Sequence, residues 1–147
     1  MTRLQHIASF ASFVIMAACG ILISWQLRQQ CTHATPPAIF VACAIASFLS
    51  IYFGWRFSKL YCLKPKAALV LFPLGVVFCT SAAVALAYIL TQPFFREWEY
   101  FSSVASQAKY LPSYMLWYSM FSAVIWLPAF LVITFVLKNV ARSELRI

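Results

Sequence analysis

Side chains suited to acid–base or metal chemistry are scarce in this chain of 147 residues. Aspartate is absent, the carboxylates are Glu97, Glu99 and Glu144, and the two histidines are His6 and His33. On a helix, two residues two positions apart point about 200° away from each other, so Glu97 and Glu99 are badly placed to share a proton. No metalloprotease, serine-hydrolase, phosphate-loop or paired-cysteine motif occurs. The sequence therefore predicts a protein that is not an enzyme and has no catalytic, metal or cofactor site.

The elements that would position any site are four long apolar stretches at 7–27, 38–55, 67–90 and 113–137, none with a charge in its interior. A run of about 18 or more apolar residues is long enough to cross a hydrocarbon core of about 30 Å as a helix. Lipid offers the backbone no hydrogen-bond partner, so such runs must be helical. We expect an all-α integral membrane protein, a four-transmembrane-helix bundle forming a single membrane domain over 1–147.

The net charge of +8 does not predict nucleic-acid binding, because the cationic residues stand at the ends of the spans. Eight of the eleven fall in the N-terminal tail, the second loop and the C-terminal tail, and three fall in the first and third loops. Positively charged loops stay on the cytoplasmic side. The charge pattern therefore predicts cytoplasmic N- and C-termini, in a membrane that we take to be the bacterial inner membrane.

The third loop, on the outer side, has the pattern of a short amphipathic helix over 94–109, with a proline before it and another after it. At about 100° per residue its apolar residues share one face and its polar residues share the other. Such a helix is expected to lie in the membrane interface. The apolar face holds Phe94, Trp98, Phe101, Ala105 and Ala108, and the polar face holds Arg96, Glu99, Ser103, Ser106 and Gln107.

Small residues recur every four positions in the second and third spans. Such stripes let membrane helices approach closely and pack without a hydrophobic driving force. The last span is instead rich in large aromatic residues, so we expect it to pack around a nucleus made by the first three. The predicted packing residues are Ala38, Ala42, Ala46, Ser50 and Gly54 in the second span, and Gly75, Cys79, Ala83 and Ala87 in the third.

Aromatic residues crowd the third loop and the start of the last span. An aromatic belt at the membrane interface would account for them, and so would a recognition surface, because aromatics and arginine dominate interaction hot spots. The two interpretations are compatible. The candidate partner-binding residues are Phe94, Arg96, Trp98, Glu99, Phe101, Trp117 and Tyr118.

The layout resembles that of the A-type immunity proteins, which protect bacteria from pore-forming colicins. The similarity lies in four spans, cytoplasmic termini, a basic cytoplasmic loop and a charged outer segment before an aromatic last span. In this chain Phe95-Arg96-Glu97-Trp98-Glu99 is followed by Leu116-Trp117-Tyr118. The resemblance concerns the order of segments and transfers no individual residue. It implies binding of a bacteriocin-type toxin within the inner membrane.

Three functions remain open at this point. The first is an accessory subunit of a larger membrane complex, and the second is the immunity protein that the resemblance implies. Both would act by packing helices against a protein partner in the membrane and at its outer interface, with lipid around them. The third is a small-molecule carrier or membrane-embedded enzyme that uses the proline-containing spans, with Pro73 and Pro128, as a pocket.

Overall fold

The computed structural model describes residues 3–30, 36–60, 65–95 and 99–144. Over these residues the regular structure is entirely helical, which confirms the all-α prediction. The helices are α1 (Arg3–Gln30), α2 (Pro36–Ser58), α3 (Pro65–Thr91), a 3₁₀ helix (Gln92–Phe95), α4 (Tyr100–Ala108), α5 (Leu111–Phe121) and α6 (Ala123–Glu144).

Four of these helical segments are long and apolar enough to cross a membrane. They run over Arg3–Gln29, Pro36–Ser58, Val70–Phe95 and Ala123–Val140. Proline stands at the start of α2 and of α3, and in the first turn of α5. The missing N–H of proline costs nothing in a first turn, where that donor has no partner within the helix. Proline therefore sets where three of the helices begin.

The first three helices form the nucleus of the bundle. α2 packs along α1 on one side and along α3 on the other. In each of the three corresponding spans 44% of the most apolar window is buried, against 17% in the span of α6. The first three spans are thus the more deeply buried part of the bundle, and the last one lies at its periphery.

The stretch 113–137, expected to form one span, is divided into two helices at Ser122. α5 packs chiefly against α3, whereas α6 packs chiefly against α1. The Ser122 amide and hydroxyl both donate to the Tyr118 carbonyl oxygen, at 3.1 and 2.6 Å. The Trp126 indole N–H donates to the Ser119 carbonyl oxygen at 2.9 Å. These bonds satisfy carbonyls that the end of α5 would otherwise leave without a donor.

The segment 94–109, expected to be one amphipathic helix, is also divided. Gln92–Phe95 is a short 3₁₀ helix that follows α3, and the α-helical part is Tyr100–Ala108. The Ser103 amide donates to the Glu99 carbonyl oxygen at 3.1 Å, which closes the first turn of α4. The amphipathic helix is thus shorter than the sequence pattern indicated.

Candidate functional site

The stripe of small residues on α2 lies entirely inside the bundle. Ala38, Ala42, Ala46, Ser50 and Gly54 are all buried. At Gly54 an added Cβ would lie 2.5 Å from the Ser12 hydroxyl oxygen and 2.8 Å from the Ala8 carbonyl oxygen. The backbones of α1 and α2 therefore meet at Gly54 more closely than any side chain would allow.

The corresponding stripe on α3 is less deeply placed. Of its four residues Ala87 is buried, while Gly75, Cys79 and Ala83 are half-buried. A Cβ at Gly75 would meet the aromatic ring of Phe57 on α2 at 2.6 Å. The fully buried face of α3 is instead made by larger residues: Phe72, Val76, Thr80 and Val84. This stripe thus borders the contact with α2 and does not form the centre of the bundle.

Hydroxyl groups link α3 to α5 inside the bundle. The hydroxyl oxygens of Ser81 and Ser119 are 2.7 Å apart. Ser119 donates its proton to the Met115 carbonyl oxygen at 2.9 Å, so Ser81 is the donor in the bond between the helices. Such bonds between membrane helices contribute about 0.6 kcal/mol each on average. The pair therefore fixes the register of α5 on α3 and adds modest stability.

The Tyr118 side chain is 2% exposed, although the sequence placed Tyr118 with the partner-binding surface. Its hydroxyl group has no hydrogen-bond partner among the described residues, which is costly in an apolar interior. Tyr118, Cys43 and Cys19 belong to the same buried cluster in the bundle. Tyr118 belongs to the core.

Helix α4 exposes its apolar side and, of its polar side, Ser106. Ser103 is buried, whereas Phe101, Ala105 and Ala108 on the opposite side are exposed. The Phe101 side chain is 85% exposed, the largest fraction among the large apolar residues described. In a protein surrounded by water this orientation would be unfavourable. It is the orientation expected of a helix whose apolar side faces lipid.

The other candidate surface residues are distributed as follows. Phe94 and Glu99 are exposed close to Phe101, at the end of the bundle that carries α4. The rings of Phe94 and Tyr100 are 4.8 Å apart, which ties the 3₁₀ helix to the start of α4. Trp117 is half-buried and its ring stacks at 4.6 Å on Phe121. Arg96 and Trp98 lie outside the described residues.

One side of α6 forms a continuous apolar surface, here called the α6 outer face. It consists of Val124, Leu127, Leu131 and Phe135, which follow one another at intervals of three and four residues and are all exposed. The buried residues Phe130, Thr134 and Leu137 lie beside this face, on the side of α6 that meets the bundle. The ring of Phe130 meets Phe72 edge to face at 5.6 Å and anchors α6 to α3. α6 is thus attached by one side only.

Groups suited to chemistry are not brought together in the part of the chain that the structure describes. Within it, no three histidine, cysteine, aspartate or glutamate side chains are close enough to hold a metal ion. His6 and Glu99 are exposed and belong to different elements. His33 and Glu97 lie outside the described residues. The arrangement within the described residues is one of packing surfaces.

Sequence reasoning did not find the contacts that hold α5 and α6 in place. These are the Ser81–Ser119 bond, the Trp126–Ser119 bond and the contact of the Cys19 thiol with the Ser122 carbonyl oxygen. The only sequence signal is a serine repeated at 119 and 122 within an otherwise apolar span.

Comparison of the chain with family models, with curated proteins and with solved structures finds no match.

Proposed function

We propose that this chain is a non-catalytic integral membrane protein that packs against a helix of a larger membrane complex, as an accessory subunit of it. The observation that carries the proposal is the small share of the α6 span that is buried, 17% against 44% in the other three. Membrane helices associate through van der Waals packing and hydrogen bonds between helices. A span that makes so little of this packing within its own chain has a whole side left for a partner.

The contact area would extend beyond α6 at the end of the bundle that carries α4. Phe94 and Phe101 are exposed there, and aromatic residues are enriched where interfaces are strongest. In this proposal α4 lies in the outer membrane interface, where its apolar side meets both the partner and the surrounding lipid. The termini lie on the cytoplasmic side of a bacterial inner membrane, because eight of the eleven cationic residues flank that side.

A photo-crosslinking experiment tests the proposal. A photoreactive residue is placed at Leu131, on the α6 outer face, and in a matched variant at Leu86, which is exposed on α3. Both variants are irradiated in native membranes and the products are read by mass spectrometry. We expect a protein adduct of one defined mass from position 131 only. Lipid adducts alone at both positions would contradict the proposal.

A further inference from the structure

A groove with a volume of about 700 Å³ runs between α1 and α2, on a surface separate from the α6 outer face. Small residues line its floor and aromatic residues flank it. The two helices approach each other closely at the floor of the groove, because an added Cβ at Gly20 would lie 2.9 Å from the Cβ of Cys43. The residues used in the argument are Ala17, Gly20 and Ala44 on the floor and Phe13, Phe40 and Phe48 at the sides.

The two ends of the groove differ in chemistry. At one end the rings of Phe13 and Phe48 approach to 5.6 Å and close it. At the other end it reaches Trp25 and Arg28, both exposed. Among the described residues none forms an ion pair with Arg28. An apolar groove that ends beside an exposed guanidinium and an indole suits a ligand with one apolar chain and an anionic head.

The length of the groove matches that of a lipid. Phe13 and Arg28 are fifteen positions apart on one helix, which corresponds to about 22 Å. One leaflet of a bilayer has a hydrocarbon thickness of about 15 Å, half of the full core. The remaining length of about 7 Å leaves room for a glycerol and a phosphate between the acyl chain and Arg28.

The dimensions of the groove suit an acyl chain better than a whole helix. A helix about 10 Å across and about 22 Å long occupies roughly 1,700 Å³, and the groove has a volume of about 700 Å³. A single acyl chain is much narrower than a helix. We propose that this groove binds one acyl chain of an anionic phospholipid, with the lipid phosphate against Arg28.

Native mass spectrometry of the full chain with added lipid tests this site. The probes are dioleoyl-phosphatidylglycerol, which is anionic, and dioleoyl-phosphatidylcholine, which is not. We expect the wild-type protein to retain one phosphatidylglycerol in preference to phosphatidylcholine. In Arg28→Gln that preference falls about fivefold, the size expected for one cation near an anionic surface. Arg56→Gln is the matched control, because Arg56 also ends a helix and is exposed but lies outside the groove.

A second variant tests the acyl-chain part of the site. Ala44→Leu fills the floor of the groove and should reduce retention of both lipids at least tenfold, whereas Ala82→Leu, at a half-buried position on α3, should not. Equal retention of the two lipids by the wild type, unchanged in Arg28→Gln, would overturn the proposal. So would a dimer that Ala44→Leu dissociates, because a second copy would then occupy this face.

Discussion

The thiol sulfur of Cys19 lies 3.8 Å from the backbone carbonyl oxygen of Ser122, although the two residues are 103 positions apart in the chain. The contact joins the middle of α1 to the point where α5 ends and α6 begins. Both residues are fully buried. The last apolar stretch therefore changes its packing partner, from α3 to α1, at a place that α1 itself helps to stabilise.

The close approach of α1 and α2 at Gly54 can be tested with a single methyl group. We expect Gly54→Ala to destabilise the protein by about 1–3 kcal/mol, because the new Cβ would press on the Ala8 carbonyl oxygen and on Ser12. Gly75→Ala is the control, since the atoms nearest to its Cβ belong to the side-chain ring of Phe57, whereas at Gly54 they include a backbone oxygen. Unfolding in SDS–detergent mixtures, followed by circular dichroism, measures both. Equal stabilities of the two variants would contradict the packing described here.

The junction of α5 and α6 depends on the indole of Trp126. Trp126→Phe keeps an aromatic ring but removes the donor to the Ser119 carbonyl oxygen, so we expect a loss of about 1–3 kcal/mol. Hydrogen exchange of the amides near Ser122 should also become faster. Trp55→Phe provides the comparison, because the Trp55 indole N–H is buried without a hydrogen-bond partner among the described residues. A larger loss from Trp55→Phe would argue against this role of Trp126.

The Ser81–Ser119 bond is suited to a double-mutant cycle. Ser81→Ala, Ser119→Ala and the double variant are unfolded side by side. We expect a coupling energy of about 0.6 kcal/mol, in the range found for hydrogen bonds between membrane helices. Ser143→Ala serves as the control, because Ser143 is exposed and bonds only to the Val140 carbonyl oxygen of its own helix. Strict additivity of the two single changes would show that the bond contributes nothing to stability.

The Tyr118 hydroxyl has no hydrogen-bond partner among the described residues, so its removal should raise the stability of the protein. Tyr118→Phe removes a buried polar atom without changing the shape of the ring, and we expect the stability to rise by about 1 kcal/mol. Thr80→Val should instead lower it, because the Thr80 hydroxyl donates to the Val76 carbonyl oxygen at 2.6 Å. Thermal unfolding in one detergent compares the two. A loss of stability in Tyr118→Phe would indicate that a bound water or ligand satisfies this hydroxyl.

The orientation of α4 is tested by spin labels on its two sides. Phe101→Cys and Ser106→Cys are labelled in a background without the native cysteines, and the protein is placed in lipid bilayers. Oxygen, which concentrates in lipid, should relax the label at position 101 more strongly. A water-soluble nickel reagent should act more strongly on the label at position 106. The reverse result would place the polar side of α4 in the membrane and refute its interfacial role.

The parts of this fold that follow from the sequence are those that depend on local composition. The stripe from Ala38 to Gly54 can be recognised in the sequence because small residues recur there every four positions. The four spans can be identified from the sequence because their interiors contain no charged residue. Local composition also predicts that α4 is amphipathic.

The remaining features depend on tertiary contacts. The break at Ser122 contains neither glycine nor proline, and Pro128 lies inside α6 without ending it. The break is stabilised by Trp126 and by Cys19, and the Cys19 contact spans 103 positions, which no local pattern contains. The sequence places Tyr118 among the partner-binding candidates, whereas the structure buries it, and the reason is related. A span that is apolar on every side does not indicate which of its aromatic residues points inward.

The packing of α6 on α1 has a consequence for synthesis. The two residues that meet at this contact are separated by 103 positions, so at about 5–20 residues per second roughly 5–20 s pass between them on the ribosome. During that interval the side of α1 that carries Cys19 has no α6 to cover it and faces lipid or the insertion machinery. The nascent bundle is therefore open along this side of α1 for several seconds.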